Sequence, residues 1–374
     1  MADEWQETTI GDFAPFTYGK GLPESQRDSS GNKPVFGSNG IVGYHNRALT
    51  AGPTVVIGRK GTAGAVHYSF EACWPIDTTF YIVDDDPYVL RFKYYLLKSL
   101  KLEHMNADSA VPGLNREAAH ALKVVVPPLP EQRAIAAVLG ALDDKIELNR
   151  RMNRTLEAIA QAVFRHWFVE NEEAEGWRET TIGEVVTVVG GSTPSTTNPA
   201  FWENGHIHWA TPKDLAELQS PILLDTNSRI TELGLQEISS GLLPVGTVLL
   251  SSRAPIGYLA ITQIPVAINQ GFIAIKCTNE VPNYFILNWL KDNMEEIIGR
   301  ANGTTFLEIS KSNFRSIPIF IPPSEKTKAF VEIVEPMYQK IIANLKQSRT
   351  LSALRDALLP RLMRGEVRVH PVDG

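Results

Sequence analysis

The stretch "GRKGTAG" at 58–64 places Arg59 and Lys60 on a glycine-rich loop after a β-branched run. Glycines let a backbone come close to a phosphate, and an arginine can grip guanine O6 and N7 with two parallel hydrogen bonds. A second stretch, "SSRAPIG" at 251–257, offers Ser251, Ser252 and Arg253 in the matching place. Further along, "PIDTTFYI" carries Asp77 and Thr78 where "AINQGFIA" carries Asn269 and Gln270, amides suited to adenine N6 and N7. A solvated hairpin tip or an ordinary strand-flanking turn explains the same residues without a ligand. Asn115 and Arg116 in "PGLNRE" correspond to Ser310 and Lys311 in "LEISKS", and such groups suit phosphates, which position a protein without reading sequence.

Bond-making chemistry finds less support. "NPAF" at 198–201 differs at one place from the Asn/Asp-Pro-Pro-aromatic tetrapeptide of adenine methyltransferases. No glycine-rich loop follows a strand in the pattern that S-adenosylmethionine needs. Asp143, Asp144 and Lys145 are too close-set on a helix for one metal site, since neighbours point apart. No GxxxxGK[ST] phosphate loop is present. His45, His67, His206 and His208 have no metal-ligand spacing. The expectation is no catalytic residue, no metal and no cofactor.

These loops need elements to hold them, and the elements come in duplicate. "WQETTIGD" begins at Trp5 and "WRETTIGE" at Trp177, an offset of 172 positions. "VVVPPLPEQRAIAAVLGALDDKIELNRRMNRTLEAIAQAVF" and "IFIPPSEKTKAFVEIVEPMYQKIIANLKQSRTLSALRDALL" align on their double prolines at an offset of 195. The second copy is therefore longer by 23 residues, which we place around "TPSTTNPAFWENGHIHWATPKD". Each copy opens with short β-branched runs and Gly/Asn-rich turns, plus a proline-led amphipathic segment, "PYVLRFKYYLLKSL" or "PNYFILNWLKDNMEEI". This is an α+β globule.

Each copy closes with a long helix. Apolar residues fall at Ile135, Val138, Leu142, Ile146, Met152, Leu156, Ile159, Val163 and Trp167, in steps of mainly three and four. The second set is Phe330, Ile333, Met337, Ile341, Leu345, Leu351, Leu354 and Leu358, with Pro336 expected to bend or interrupt the helix. Pairing the two stripes, most simply as a coiled coil, removes both from water. Asn149 and Asn344 lie at equivalent places near the stripes, either fixing register or sitting solvated at the seam's edge. The boundaries read 1–126 and 171–321 for the globules, 127–170 and 322–365 for the helices, and 366–374 for a tail.

The 374 residues suffice for two domains with their own cores, and 43% hydrophobic with 21% charged residues is ordinary for a globular protein. No apolar run approaches the roughly 18–20 residues of a membrane span, and "MADEWQETT" lacks the pattern of a signal peptide. Cys73 and Cys277 form no metal or disulfide pattern, which favours a cytoplasmic location. The net charge of −6 does not advertise nucleic-acid binding, so any contact with DNA must be local.

Taken together, residues 127–168, the W-x-E-T-T-I-G openings, "YGKGLPESQRDSSGNKPVFGSNGIVGYHN" (18–46), "GGSTPSTTNPAFWENGHIHWATPKDL" (190–215) and "LRDALLPRLMRGEVRV" (354–369) resemble the specificity subunit of type I restriction-modification systems. The resemblance covers essentially the whole chain, though the second helix lacks the "PEQRAI" start. It implies a non-catalytic reader of double-stranded DNA. Two target-recognition domains in a pseudo-twofold repeat would each read half of a split sequence, held apart by two long antiparallel helices forming a coiled-coil spacer. The implied partners are methyltransferase (modification) subunits, which dock on the helices, and restriction (translocase) subunits, with no membrane. Family position adds Ser38 and Asn39 of "GSNG" to the DNA-contact set. Lys20, Thr193 and Lys213 join it from the segments that carry the resemblance, and Thr62 from the "GRKGTAG" loop. A helix of about 40 residues is roughly 60 Å long, enough to serve half-sites about one DNA turn apart. Arg150, Arg151, Arg154 and Arg165 form either a solvated helix face or a contact with central DNA or a partner. Asp84, Asp85 and Asp86 should face away from phosphate. The competing readings are a self-sufficient methyltransferase or nuclease, and a protein–protein scaffold.

Overall fold

The computed structural model describes residues 4–28, 30–106, 113–171, 176–303 and 307–369. Residues 370–374 of the expected tail lie outside that set. The chain divides into two compact units, residues 1–146 with 348–374, and residues 147–347.

In the first unit, β1 (Gln6–Thr9) pairs antiparallel with β9 (Lys123–Val126), so the start of the globule is tied to its end. Between them, β2 (Thr17–Tyr18), β8 (Thr79–Ile82), β5 (Thr54–Gly58) and β6 (Val66–Ser69) form one sheet in that order. A second sheet has the order β4 (Gly40–His45), β3 (Lys33–Gly37), β7 (Trp74–Pro75). Strand β5 is buried throughout, as a continuous β-branched run in a sheet centre requires. Helix α1 (Ile10–Phe13) follows β1, and α2 (Pro87–Ser99) follows β8. Asp86 caps α2, accepting from Tyr88 and Val89 N–H, and also pairs with Arg133 at 2.7 Å, while Asp84 pairs with Lys93 at 2.6 Å. Two carboxylates of the acidic run are thus used inside the unit.

The second unit repeats this plan. Strand β10 (Arg178–Thr181) pairs with β19 (Pro318–Ile321), and α5 (Ile182–Val185) follows β10. The larger sheet runs β11 (Thr187–Gly190), β18 (Phe272–Lys276), β15 (Val248–Ser252), β16 (Ile256–Thr262), β13 (Ile222–Leu223). The smaller runs β14 (Ser228–Ile230), β12 (Ile207–Ala210), β17 (Ala267–Ile268). As in the first unit, the middle strand of the small sheet pairs parallel with one neighbour, β3 with β7 and β12 with β17.

The extra length of the second copy sits later than expected. A two-residue turn, Ser38–Asn39, joins β3 to β4, whereas 211–227 separate β12 from β14 and carry helix α6 (Pro212–Ala216) and β13. A further excursion, 231–247, carries α7 (Glu232–Gln236), and α8 (Asn283–Asp292) and α9 (Met294–Gly299) come after β18. The segment 193–206 holds only a short 3-10 turn.

Two helices of 40 residues each follow the globules, α4 (Leu129–Phe168) and α11 (Ser324–Met363). Each contributes one end to each unit. Inside the second unit, Phe164 and Phe168 of α4 pack against Phe330 of α11 at ring distances of 5.8 and 5.2 Å, beside Phe285. Burying each such ring contributes about 1.5–3 kcal/mol. Nearer the middle, Asn149 Nδ2 donates to Gln347 Oε1 at 2.9 Å, and Asn344 Nδ2 donates to Asn153 Oδ1 at 2.8 Å. Because 149 meets 347, 153 meets 344 and 164 meets 330, the two helices run antiparallel within this unit. Both Asn149 and Asn344 are buried, which sets aside the solvated-edge reading. In the first unit, Ile135, Ala136 and Leu139 share a core with Leu362 and Met363, and Arg355 donates to Asp143 at 2.6 Å.

The buried stripe is rotated by about one residue from the expected one. Gln132, Ile135, Ala136, Leu139, Asn149, Asn153, Ala160, Phe164 and Phe168 are buried, whereas Val138, Ile159, Ile333 and Leu354 are exposed. Pro336 does not interrupt α11. Phe330, Val334, Tyr338 and Ile341 are fully buried on both sides of it, and this packing outweighs the roughly 3 kcal/mol that an internal proline costs.

Candidate nucleic-acid interface

In the first unit three loops converge on one carbonyl. Thr78 O accepts from Arg59 N–H (2.9 Å), Lys60 N–H (3.1 Å) and the Ser38 hydroxyl (2.7 Å). The Arg59 carbonyl in turn accepts from Leu114 N–H at 2.8 Å, and Lys60 bridges Gly113. The next residue, Asn115, caps α3 (Arg116–His120) by accepting from Ala118 N–H at 3.0 Å. Arg59, Lys60, Asn115 and Arg116 therefore line one cleft of about 540 Å³ with Tyr18 and Phe80 as aromatic surface. The glycines of the loop take positive φ at Gly61 and Gly64, +76° and +87°, which other residues adopt at a cost.

Thr62, Lys60, Asn39 and Lys20 are exposed around this frame. Ser38 is buried, with its hydroxyl spent on Thr78 O, so it orients the Asn39 turn rather than facing outwards. His67 Nε2 lies 3.1 Å from the Ser38 carbonyl, and burial pushes its pKa below the usual value of 6.5. Arg116 pairs with Glu117 at 2.7 Å, and this holds the Glu117 carboxyl below the ordinary carboxylate range.

The second unit uses the same frame with different side chains. Gly271 O accepts from Ser252 N–H at 2.8 Å, Ser252 O accepts from Ile309 N–H at 3.0 Å, and Arg253 bridges Glu308. Ser310 caps α10 (Lys311–Arg315), accepting from Asn313 N–H at 3.1 Å. Ser251 and Ser252 are buried. The Ser251 hydroxyl donates to Pro255 O and accepts from Tyr258 N–H, both at 2.8 Å. This corrects the expectation that these two residues face outwards: the Ser251 hydroxyl closes the β15–β16 turn, and Ser252 is buried beside it. Arg253 is half-exposed and lies 3.7 Å from Glu308.

Beside this frame, Asn269 Oδ1 accepts from Gly271 N–H at 2.9 Å, and the Thr193 hydroxyl donates to Gln270 Oε1. The close approach of these segments requires Gly191, since a Cβ there would stand 1.9 Å from Ile268 O. Gly19 does the same in the first unit, 2.1 Å from Ile76 O. Lys213 is exposed in the first turn of α6, where the loop after β12 stands in place of the Ser38–Asn39 turn. Asp214 holds that loop, accepting from Thr211 N–H at 2.7 Å and Asn227 N–H at 2.8 Å.

The sequence reading passed over Tyr18. Its half-exposed ring has the Arg59 guanidinium 5.5 Å from its centroid and that of Arg116 5.0 Å away. The available signal was the aromatic immediately before "GK" at 19–20, which the second copy lacks because Gly190 stands there, with Lys311 Nζ 3.0 Å from where its Cβ would be. Glu308 was also missed.

The residues weighed for chemistry are engaged otherwise. Asn198 caps the 3-10 turn at "NPAF", accepting from Ala200 N–H at 3.1 Å. Asp143 accepts from Tyr95 OH at 2.6 Å while Asp144 accepts from Arg91 at 2.8 Å, so the adjacent carboxylates serve different partners. Among the described residues no group of three or more His, Cys, Asp or Glu could hold a metal ion, and no helix is long and apolar enough to cross a membrane. Arg150, Arg151 and Arg154 surround Glu147 at 3.8, 2.8 and 3.8 Å, and Arg165 pairs with Asp292 at 2.6 Å, in keeping with a solvated helix face.

Two copies of one α+β plan, alike in their loop frame and unlike in the side chains carried on it, define a tandem-repeat protein with two candidate recognition faces. Residues 2–158 and 174–350 each match the family described as the type I restriction modification DNA specificity domain. The type I restriction enzyme MjaIX specificity subunit of Methanocaldococcus jannaschii is 28% identical over 313 residues, 77% of this chain and 72% of that one. The HindI specificity subunit of Haemophilus influenzae is 22% identical over 375 residues, 78% of this chain and 81% of that one. The crystal structure of the type I restriction-modification S subunit from M. genitalium is similar in fold, with a TM-score of 0.59 over 96% of each chain at 20% identity. The chain belongs to this family and is a DNA-specificity subunit of the type I restriction-modification kind.

Proposed function

We propose that the chain reads a bipartite double-stranded DNA sequence, one half with each copy, and brings methyltransferase and restriction subunits to it without carrying their chemistry. One observation carries this reading. The main-chain frame around Thr78 recurs around Gly271, while the groups displayed on it change from Arg59, Lys60, Asn115 and Arg116 to Arg253, Ser310 and Lys311. Two readers built alike and equipped differently suit two different half-sites. In the first copy the DNA contacts are Lys20, Asn39, Arg59, Lys60, Thr62, Thr78, Asn115 and Arg116. In the second they are Thr193, Lys213, Arg253, Asn269, Gln270 and Lys311. Ser38, Ser251 and Ser252 shape the loops from beneath. With a net charge of −6 on the chain, these local cations supply the phosphate attraction.

The recognition domains are residues 1–126 and 171–321 on this reading, and the helices at 127–170 and 322–365 form the spacer on which methyltransferase subunits dock. Exchanging residues 1–126 for the corresponding part of another family member, then sequencing the methylated sites made with a partner methyltransferase, tests the proposal. One half of the site should change and the other should stay. A change in both halves contradicts the two-reader arrangement, and methylation by the isolated chain contradicts the non-catalytic role.

A further inference from the structure

Tyr18 has no counterpart in the second copy, and the cations around it are arranged for more than attraction. The Arg59 guanidinium donates through Nε at 3.1 Å and Nη2 at 2.7 Å to a single acceptor, the carbonyl of Asp77. That engagement uses one side of the fork. The remaining Nη1 and Nη2 hydrogens form a second, end-on fork, which the planar group presents in a fixed direction. The Tyr18 ring supports the guanidinium with its centroid 5.5 Å away, and Phe80 buttresses the tyrosine edge-on at 5.0 Å. Phe80 itself is buried, so the support is continuous with the core.

Building on the DNA-reading function proposed above, we infer that the end-on fork of Arg59, set in direction by Asp77 O and Tyr18, reads the O6 and N7 edge of one guanine in the first half-site, with Tyr18 as its positioning residue. A phosphate also accepts a fork, but it tolerates many approach angles. A half-buried arginine fixed by a carbonyl and a ring suits a planar two-acceptor edge better. The exposed Lys20 and Lys60 are point charges on flexible stems and suit the phosphates on either side. In the second copy Gly190 offers no ring, and Arg253 leans on Glu308 at 3.7 Å, so no equivalent fork is set there.

The test uses the full chain assembled with its methyltransferase subunits, and duplexes in which 7-deazaguanine, which lacks the N7 acceptor, replaces each guanine of the first half-site in turn. For the unaltered complex one position should slow methylation by about 10–100-fold, the range of one lost hydrogen bond to a charged group. In Arg59→Ala that position should become insensitive to the replacement. Tyr18→Leu should reduce discrimination there by about two- to five-fold, the worth of an exposed cation–π contact, while Tyr18→Phe keeps it. Discrimination in the second half-site should be unchanged in all three variants. Equal sensitivity to 7-deazaguanine in Arg59→Ala and the unaltered complex overturns the inference. So does uniform weakening on every duplex with a salt slope reduced by about one, which marks a phosphate contact. A complex that discriminates between no duplexes at all would instead defeat the underlying DNA-reading proposal.

Discussion

Asn344 and Asn153 offer a direct test of whether buried amides set the pairing of the two long helices. Both side chains are buried, and Asn344 Nδ2 donates to Asn153 Oδ1 at 2.8 Å. Leucine matches asparagine in heavy-atom count and branching, so Asn344→Leu removes the donor with little change of shape. Asn153 Oδ1 then loses this partner away from water, at a cost of about 1–3 kcal/mol. Asn153→Leu strands the Asn344 amide at a similar cost. The double variant removes both partners and should recover most of the loss, because two matched apolar side chains leave nothing unsatisfied. Urea unfolding followed by tryptophan fluorescence reads each variant as a shift of the midpoint at unchanged slope. The coupling between the two substitutions should approach the sum of the two single losses, about 2–6 kcal/mol. Singles and double that simply add, within about 0.3–0.5 kcal/mol, would show that the pair does not act as a unit and would refute the reasoning.

Two further outcomes follow from the loop frames. Gly191→Ala places a Cβ against Ile268 O, where only 1.9 Å is available, and so should displace the segment carrying Asn269 and Gln270. Methylation should lose discrimination in the second half-site alone, and a variant that retains it rejects the placement of that segment. Burial holds the pKa of His67 below 6.5, so between its folded pKa and 6.5 the unfolded chain binds more protons than the folded one. The stability His67 contributes is therefore present above about pH 6.5 and is lost as the pH falls through the folded value. His67→Gln should flatten the stability profile on the acid side of about pH 6.5, and an NMR titration of His67 at or above 6.5 contradicts this assignment.

The repeat and the 40-residue helices were legible because they depend on patterns that survive divergence: a tryptophan-led strand, double prolines, and apolar steps of three and four. The face of α4 was misread because several of its buried positions are small or polar. Ala136, Ala160, Asn149 and Asn153 are buried there, while the greasier Val138 and Ile159 face outwards. A hydrophobic ranking favours the large residues and misses Asn149 and Asn153, whose amides pair across the seam with Gln347 and Asn344. Pro336 was read locally, whereas the packing of Val334 and Tyr338 on either side decides its fate. Arg59, Lys60 and Arg116 were legible as candidates from type alone, but their convergence on one cleft was not, since 18, 59 and 116 meet only through the sheet. Ser38 and Ser251 looked like surface hydroxyls because no local signal tells which way a turn residue points.

The two frames also explain how such a chain can change its reading without losing its fold. Thr78 O and Gly271 O bind main-chain N–H groups, and a main-chain donor is present whether the residue is Arg59 or Ser252. The caps at 115 and 310 need only a short polar side chain, which both asparagine and serine provide. Exposed substitutions at the tips therefore cost little stability, typically within about 0.5 kcal/mol, while each can alter a base contact worth several times more. The exception is the buried support. Gly19 and Gly191 leave no room for a Cβ against Ile76 O and Ile268 O, so this support is common to the two copies while the side chains at the loop tips differ.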